Sequence, residues 1–372
     1  MIYLDYAASS PPFPEVIGEV ATVTREHFGN PGAIHCQGTD ARIILQKSRS
    51  VVAQSTFVRP EEIFFTSGGT ESNNWAIAAG CAAVPAKRHI VCGASEHPSV
   101  LEAVRRMGQK GYDITYLNPE HDGRIRPETV AAAIRPDTAL LCIQAVNNET
   151  GVIQDVDAFA DLAHRRGTRY FCDAVQSFGH VSQNLHKADL ISLSAHKLGG
   201  PRGVGCLIVR QPLNPEPMIL GGGQEFGLRS GTENLPGIAG FALAASLSAQ
   251  LLPREQPRLA ELTALFETLL RQEIPEISIA GEGAARSSIL CCAFPGMTGE
   301  EMAVRLDLKG ICASPGSACA ARSSKPSHVL LSMGYSPEEA LRFIRFSPGR
   351  NTTAEEIHRT VAAICDIMKK RS

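Results

Sequence analysis

The chain has 372 residues, of which 44% are apolar and 20% are charged, with a formal net charge of −2. This length predicts about two domains, and the composition excludes a disordered or fibrous chain. The nearly balanced charge gives no electrostatic reason to expect nucleic acid or an anionic membrane as a partner. We find no signal-peptide pattern in MIYLDYAASSPP and no apolar run approaching ~18 residues, so we expect a cytoplasmic protein.

The eleven cysteines do not form a disulfide pattern, because their number is odd and no C-x-x-C pair occurs. Most lie in apolar runs, such as Cys142 in LLCIQAV and Cys206 in VGCLIVR. Free cysteine packs as a small apolar residue, so a reducing cytosol fits best. No metal-ligand spacing surrounds the adjacent Cys291 and Cys292, and we expect no metal site.

From about residue 40 to 250, segments of helical period alternate with short apolar runs typical of strands. In chain order, the predicted helices are ARIILQKSRSVVAQ, SNNWAIAAGCAAV, SVLEAVRRMGQKG, TVAAAIR and DVDAFADLAHRRG. The predicted strands are EEIFFTS, HIVCGAS, DITYLN, TALLCIQAV, RYFCDA, ADLISLS and GCLIVR. This alternation predicts an α/β fold with a mostly parallel seven-stranded sheet flanked by helices on both faces.

After about residue 250 the pattern changes to a long helix, RLAELTALFETLLRQEI, followed by short strands such as SSILCCAF and ALRFIRFS. A final helix begins with a capping box formed by Thr353 and Glu356. Its apolar positions at helical spacing are Ile357, Val361, Ile364 and Met368. We predict a large domain of residues 15–250 and a smaller α+β domain of residues 1–14 and 251–372.

In such a sheet, ligands bind beyond the carboxyl ends of the strands, so the residues that follow each strand are candidates for a site. After EEIFF, the residues Gly68, Gly69 and Thr70 open a helix, whose N-terminus favours an anion. An ordinary glycine turn capped by Thr70 explains the same residues equally well. Glu96 and His97 follow HIVCGAS, and a lone histidine is more often structural than catalytic.

The remaining strands are followed by amides, an acid, a hydroxyl group, an imidazole and an amine. These residues are Asn147 and Asn148 in NNETG, Asp173 and Gln176 in CDAVQ, and Ser194, His196 and Lys197 in SAHK. Taken singly, the asparagines fit a turn and the aspartate fits a helix cap. Their shared sheet edge is the stronger signal. A lysine for a Schiff base, an aspartate for a pyridinium nitrogen and a helix N-terminus for a phosphate together predict pyridoxal 5'-phosphate as the cofactor.

The chain resembles the cysteine desulfurases, which are fold-type I pyridoxal-phosphate enzymes of the class V aminotransferase superfamily. The matching segments are YLDYAASSP, FGNPGAIH, FTSGGTESNN, EHPSV, NNETGVI, CDAVQSFGH, SAHKLGGPRGVG, GGGQEFGLRSGTEN, GSAC and IRFSPGR. They occur in family order from residue 3 to about residue 350. Each segment alone is a weak match, but ten in order are specific. The loop from residue 319 to 328 is as long as in the subgroup that serves iron–sulfur assembly.

The resemblance implies a role for each matching residue. Lys197 would hold the cofactor covalently, Asp173 would pair with the pyridine nitrogen, and Gln176 would hydrogen-bond the phenolic oxygen. His97 would stack on the ring and assist proton transfer.

Other matching residues would bind the phosphate and the substrate. The phosphate would be held by Gly69, Thr70, Ser194 and His196, with Thr232 contributed by a second subunit, which implies a homodimer. Asn148, which also contacts the cofactor, and Arg345 would bind the substrate carboxylate, a task for which a guanidinium is well suited.

By the same resemblance, Cys319 in GSAC is the reactive cysteine. Its surroundings, ASPGSACAARSSKPS, are small and polar and indicate a loop, where a thiol can react as the thiolate. Cys312, in contrast, lies at a strand-like position that indicates packing. The implied reaction converts L-cysteine to L-alanine and leaves the sulfur on Cys319 as a persulfide. A sulfur-acceptor protein would then use it for iron–sulfur cluster assembly or tRNA thiolation.

Two further classes of function remain open. A class V aminotransferase would share the cofactor site but would not need a loop cysteine, and a selenocysteine lyase would act on a related substrate. A binding protein without catalysis is disfavoured by the presence of Lys197, Asp173 and His97.

The chain also departs from the family pattern, with Tyr6 in place of the usual asparagine, Ser9-Ser10 in place of a threonine pair, and Pro315 before GSAC.

Overall fold

The computed structural model describes residues 1–213, 215–316 and 325–369. The strands are β1 (Ile2–Tyr3), β2 (Ile63–Thr66), β3 (His89–Gly93), β4 (Asp113–Leu117), β5 (Thr138–Cys142), β6 (Arg169–Asp173), β7 (Leu190–Ser194), β8 (Gly205–Val209), β9 (Ser278–Ile279), β10 (Leu290–Ala293), β11 (Ile311–Cys312) and β12 (Phe343–Phe346). The helices are α1 (Pro14–Glu26), α2 (Cys36–Thr56), α3 (Gly69–Ala82), α4 (Pro98–Gln109), α5 (Pro127–Ala133), α6 (Val156–Arg165), α7 (Leu235–Glu273), α8 (Gly299–Asp307), α9 (His328–Ser332), α10 (Pro337–Ala340) and α11 (Ala354–Lys369).

The largest sheet has seven strands in the order β2-β8-β7-β6-β5-β3-β4. Neighbouring strands from β7 to β4 run parallel, and β8 runs antiparallel to both β7 and β2. Every residue of β3, β5, β7 and β8 is buried, whereas the edge strand β4 is half exposed. Strands covered on both faces read as continuous apolar runs, which is why the sequence predicted them. The predicted α/β fold with a mostly parallel seven-stranded sheet is confirmed.

Helix α7 is much longer than predicted, with 39 residues that continue through Pro253 and Pro257. An 18-residue window in it has a mean hydropathy of 1.5, so the helix is long and apolar enough to cross a membrane. The expectation that no segment has this length and composition is therefore wrong. The window is 56% buried within the protein, and α7 packs against α1, α2 and α11. It is a core helix of this fold.

Two small sheets lie beside the large one. Strands β12, β10 and β9 form an antiparallel sheet, and β1 pairs with β11 in parallel. Ile2 and Leu4, at the start of the chain, share a hydrophobic core with residues between Leu259 and Ile367. The N-terminus and the C-terminal third thus pack together.

The capping box predicted for the last helix is confirmed. The Thr353 amide donates to Glu356 Oε2 at 3.1 Å, and the Glu356 amide donates to Thr353 Oγ1 at 3.2 Å. Three of the four predicted apolar positions are buried, but Met368 is half-buried and Ile367 takes the buried position instead. The prediction of this helix is therefore confirmed, but its last buried residue is Ile367 and not Met368.

Helix α1 was absent from the predicted elements, because only Val16 and Val23 of its thirteen residues are buried. It contacts α7 at Gly240, where an added Cβ would lie 2.6 Å from Val20 Cγ2 and 3.2 Å from Pro201 Cγ. The missing side chain therefore permits the close approach of the two helices.

We predict that Gly240→Ala destabilises the protein relative to Gly18→Ala. Both glycines are helical, but a Cβ at Gly18 would meet nothing within 4 Å. Alanine should gain about 1 kcal/mol in helix propensity at either position, whereas the overlap at Gly240 should cost about 1–3 kcal/mol. Urea unfolding of the two variants measures the difference. Equal unfolding free energies would contradict this account of the α1–α7 contact.

Candidate active site

The carboxyl ends of β3, β5, β6 and β7 surround a cleft of about 240 Å³. Parallel strands present the residues that follow them at one edge of a sheet, so segments far apart in the chain meet here. The predicted site residues that line this cleft are Gly69, Thr70, His97, Asn148, Asp173, Gln176, Ser194, His196, Lys197 and Arg345.

Two predicted residues are not among those lining residues. Thr232 is exposed and lies outside the cleft of this chain. Cys319 lies outside the described residues. The structure therefore brings together the residues predicted to bind cofactor and substrate, apart from Thr232.

Asp173 ends β6, and its carboxylate is buried against the floor of the cleft. Its Oδ2 accepts a hydrogen bond of 2.7 Å from Asn73 Nδ2, and its Oδ1 accepts one of 3.0 Å from the Val175 amide. The Asn73 amide group also donates to Ser99 Oγ at 2.8 Å. These donors fix the direction in which the carboxylate faces the cleft.

His97 is the N-cap of α4, and Pro98 is the first helical residue, where its missing N–H is tolerated. The Ser99 amide donates to His97 Nδ1 at 3.1 Å, so the proton of the neutral ring lies on Nε2. Burial lowers the pKa of His97, the negative charge of Asp173 opposes this, and the positive charge of Lys197 adds to it. The imidazole is thus a neutral group in the cleft at neutral pH.

Lys197 follows β7, and both its side-chain amine and its backbone carbonyl group contact the N-terminal segment. Its Nζ donates to the carbonyl oxygens of Ala7 at 2.6 Å and Ala8 at 3.1 Å. Its own carbonyl oxygen accepts from Ser10 Oγ at 2.6 Å and lies 2.9 Å from His180 Nε2. The backbone and the amine of the lysine are therefore both fixed relative to the cleft.

The N-terminus of α3 forms a small concave surface beside Lys197. Gly68 has φ 151°, a conformation that favours glycine, and a Cβ at Gly69 would lie 2.8 Å from Val175 Cγ2. The first amides of a helix have no partner within the helix, and they favour an anion. Burial, with Lys197 and Arg202 nearby, lowers the pKa of His196 to about 4. A neutral imidazole and the amides suit a phosphate group.

Gln176 also indicates a ligand. Its Oε1 atom is buried and has no hydrogen-bond partner among the described atoms, although the residue lines the cleft. A buried polar atom without a partner is costly, so a hydrogen bond from a group bound in the cleft would stabilise this amide. Together with Asp173 and the concave end of α3, Gln176 makes the cleft fit pyridoxal phosphate.

Arg345 reaches the cleft from β12 of the smaller sheet, and its side chain is only 2% exposed. Its Nη1 donates to the Asn148 carbonyl oxygen at 2.8 Å, and its Nη2 donates to Asp5 Oδ1 at 2.8 Å. Asn147 supports this turn, since its Oδ1 accepts from the amides of Glu149 and Thr150, each at 2.9 Å. The guanidinium is thus a fixed, buried cation in the cleft wall.

The prediction missed three polar residues of the cleft, namely Asn73, Ser99 and Gln144. Asn73 lies four residues after Gly69 on α3, so helical spacing could have placed it on the same face. Ser99 is two residues from His97. Gln144 follows β5, and the rule that selected the other strand ends could have selected it too.

The ten cysteines in the described ranges all have free thiols, as expected. Seven of them are buried, and burial raises the pKa of such thiols, for example that of Cys81 to about 12. A buried thiol of this kind is unreactive at neutral pH. No group of three or more potential metal ligands occurs in the described residues.

Comparison with known proteins agrees with this geometry. Residues 2–360 match the family described as Aminotransferase class-V. A cysteine desulfurase IscS of Dictyoglomus turgidum is 37% identical over 99% of this chain and 95% of its own length. One from Methylobacillus flagellatus is 40% identical over 97% of this chain and 90% of its own length.

Solved structures give the same relationship. A NifS-like protein superposes with a TM-score of 0.92 and 32% identity, covering 99% of both chains. A structure described as SspA in complex with cysteine has a TM-score of 0.81 and 34% identity, covering 93% of this chain and 98% of its own. Family match, full-length relatives and cleft agree, and the chain belongs to the class V aminotransferase family as one of its pyridoxal-phosphate-dependent cysteine desulfurases.

Proposed function

We propose that this chain removes the sulfur of L-cysteine, releases L-alanine and holds the sulfur on Cys319 as a persulfide. The observation that carries the proposal is that Lys197, Asp173, His97 and Arg345 line one cleft. This set offers an amine, a carboxylate, an imidazole and a guanidinium to a cofactor and an amino acid.

Pyridoxal phosphate, when bound, supplies a ring that withdraws electrons from the α-carbon of the substrate. Lys197 would hold it covalently and then move the α-proton of the substrate. Asp173, oriented by Asn73, would keep a proton on the ring nitrogen, and the Gln176 amide would bond to the phenolic oxygen. The end of α3, with Gly69 and Thr70, together with Ser194 and His196, would bind the phosphate.

The substrate would be oriented through its carboxylate. Arg345 has donors left after its bonds to Asp5 and Asn148, because a guanidinium carries five N–H groups. Asn148 would add its side-chain amide. His97, neutral in the cleft, would stack on the cofactor ring and accept or return a proton during the reaction.

Sulfur transfer would complete the reaction. The Cys319 thiolate attacks the sulfur of the substrate, so an S–S bond forms while the carbon–sulfur bond breaks. The carbon keeps the electron pair and takes a proton, which yields L-alanine and a Cys319 persulfide. A sulfur-acceptor protein would receive this sulfur in the cytoplasm, for iron–sulfur cluster assembly or tRNA thiolation.

We also propose that the enzyme is a homodimer, with Thr232 completing the phosphate site of the other subunit. Thr232 is exposed in the single chain. The segment before it carries Ile219, Leu220 and Phe226, whose exposed fractions are 40%, 84% and 59%. Neighbouring apolar side chains of this size at a surface favour a protein contact.

The proposed domain division is residues 15–250 against residues 1–14 with 251–372. It is supported by separate hydrophobic cores, one around the large sheet and one that joins Ile2 and Leu4 to the C-terminal third. Two features cross this division. Phe13, from residues 1–14, packs in the core of the large sheet, and α7 continues past residue 250.

We predict that Cys319→Ala forms L-alanine from L-cysteine at least roughly 100-fold more slowly than the native protein, because the sulfur has no acceptor. The visible absorbance of the bound cofactor should be unchanged. Mass spectrometry after L-cysteine treatment should find the added sulfur on the peptide that contains Cys319. Cys312→Ala, which removes a half-buried thiol on β11, is the matched control and should retain activity.

Two outcomes would contradict this proposal. Undiminished alanine formation by Cys319→Ala would mean that another group takes the sulfur. Pyruvate as the product in place of L-alanine would favour an aminotransferase.

We predict that mixing two inactive variants restores activity if Thr232 acts across the dimer. Lys197→Ala removes the lysine, and Thr232→Asp places a negative charge against the phosphate. In the mixed dimer, one site would combine an intact Lys197 with an intact Thr232 from the other chain. Activity of the refolded mixture well above that of either parent is the expected result, and a mixture as inactive as both parents would exclude a shared site.

A further inference from the structure

The ion pair between Asp5 and Arg345 lies in the wall of the cleft, and Asp5 has no part in the proposed reaction steps. Asp5 Oδ1 accepts from Arg345 Nη2 at 2.8 Å, and the side chains are 19% and 2% exposed. Arg345 faces the cleft, whereas Asp5 is not among the residues that line it. The carboxylate of Asp5 thus contacts the guanidinium without lining the cleft itself.

Arg345 keeps capacity for a further acceptor. Of its five N–H groups, one on Nη1 binds the Asn148 carbonyl oxygen and one on Nη2 binds Asp5. Its buried Nε has no partner among the described atoms. Three of the five N–H groups of Arg345 therefore remain after its bonds to Asn148 and Asp5.

The backbone holds Asp5 in this position. Asp5 forms a parallel bridge with Ser347 of the chain that follows β12. The Tyr6 amide donates to the Ser347 carbonyl oxygen at 3.2 Å, and the Ala7 amide donates to Ser347 Oγ at 2.9 Å. The pair is therefore a built feature of the contact between the N-terminal segment and β12.

We propose that Asp5 sets the affinity of the Arg345 subsite for α-amino acid carboxylates, so that the product alanine can leave. This inference rests on the proposed function, in which Arg345 binds the carboxylate of cysteine. Asp5 neutralises a buried cation while the subsite is empty, which avoids the cost of an unpaired charge. When an amino acid binds, Asp5 becomes a second negative charge near its carboxylate and weakens the binding.

The same N-terminal segment also contacts the amine side of the cleft. The carbonyl oxygens of Ala7 and Ala8 accept from Lys197 Nζ, only two and three residues after Asp5. Residues 5 to 8 thus contact both Lys197 and Arg345. Asp5 is therefore a positioning and affinity-setting residue, since it acts through Arg345.

The test is Asp5→Asn in the cofactor-loaded enzyme. Asparagine keeps an oxygen acceptor for Arg345 Nη2 but removes the negative charge. We expect the inhibition constant of L-alanine, and its dissociation constant from titration of the cofactor absorbance, to fall roughly tenfold. Binding of cysteamine, which has an amine and a thiol but no carboxylate, should not change.

Two variants serve as controls. Asp5→Glu retains the charge and should bind L-alanine within about twofold of the native enzyme. Asp137→Asn removes the charge of an exposed ion pair with Arg135 just before β5, at the opposite end of that strand from the cleft, and should change nothing. Circular dichroism establishes that each variant is folded before binding is compared.

L-alanine binding to Asp5→Asn that is no tighter than to the native enzyme would overturn the proposal. Equal tightening for L-alanine and cysteamine would also overturn it, because the effect would then not concern the carboxylate. Failure of the proposed function has a different signature, namely no alanine formed from cysteine by the native enzyme. The L-alanine titration can be scored in either case.

Discussion

The contacts between the N-terminal segment and the turn at Lys197 are the constraint on which the cleft depends. The Ser10 amide donates to the His196 carbonyl oxygen at 2.9 Å, and the Phe13 amide donates to the Gly199 carbonyl oxygen at 3.0 Å. Ser10 Oγ also donates to the Lys197 carbonyl oxygen, and Lys197 Nζ donates to the Ala7 carbonyl oxygen. Together these bonds fix both the backbone and the amine of Lys197. Because residue 5 pairs with residue 347, this one segment also fixes the distance between the lysine and Arg345.

The charges of the cleft are arranged so that each buried ion has a partner while the histidines are neutral. Asp173 is bound by Asn73, Arg345 by Asp5, and Lys197 by two carbonyl oxygens. Burial lowers the pKa values of His97 and His196, so neither adds a cation at neutral pH. Before a cofactor or substrate enters, each of these charged side chains thus has a hydrogen-bond partner.

Local sequence pattern predicted the buried strands and the residues at their ends, but it missed features that depend on contacts between distant residues. Strands β3, β5 and β7 were predicted correctly because burial on both faces makes them continuous apolar runs. The residues after these strands could be assigned to one site because parallel strands end at one edge. In contrast, the predicted helix RLAELTALFETLLRQEI starts after Pro257, whereas α7 begins at Leu235 and continues through Pro253 and Pro257. Asp5 could not be paired with Arg345, since 340 residues separate them and no periodicity relates them.

Cys319 lies outside the described residues, and its role, like that of Thr232 as a partner residue, stays a prediction.

The pairing of β1 with β11 has a consequence for synthesis of the chain. Ile2 and Leu4 find their core partners only among residues from Leu259 onward, and a ribosome makes those residues last. The strands of the large sheet can pair as they emerge from the ribosome. Ile2 and Leu4, in contrast, cannot form their core contacts until nearly the whole chain has been translated. The first residues of the chain therefore complete their packing only after residues Leu259 to Ile367 have been made.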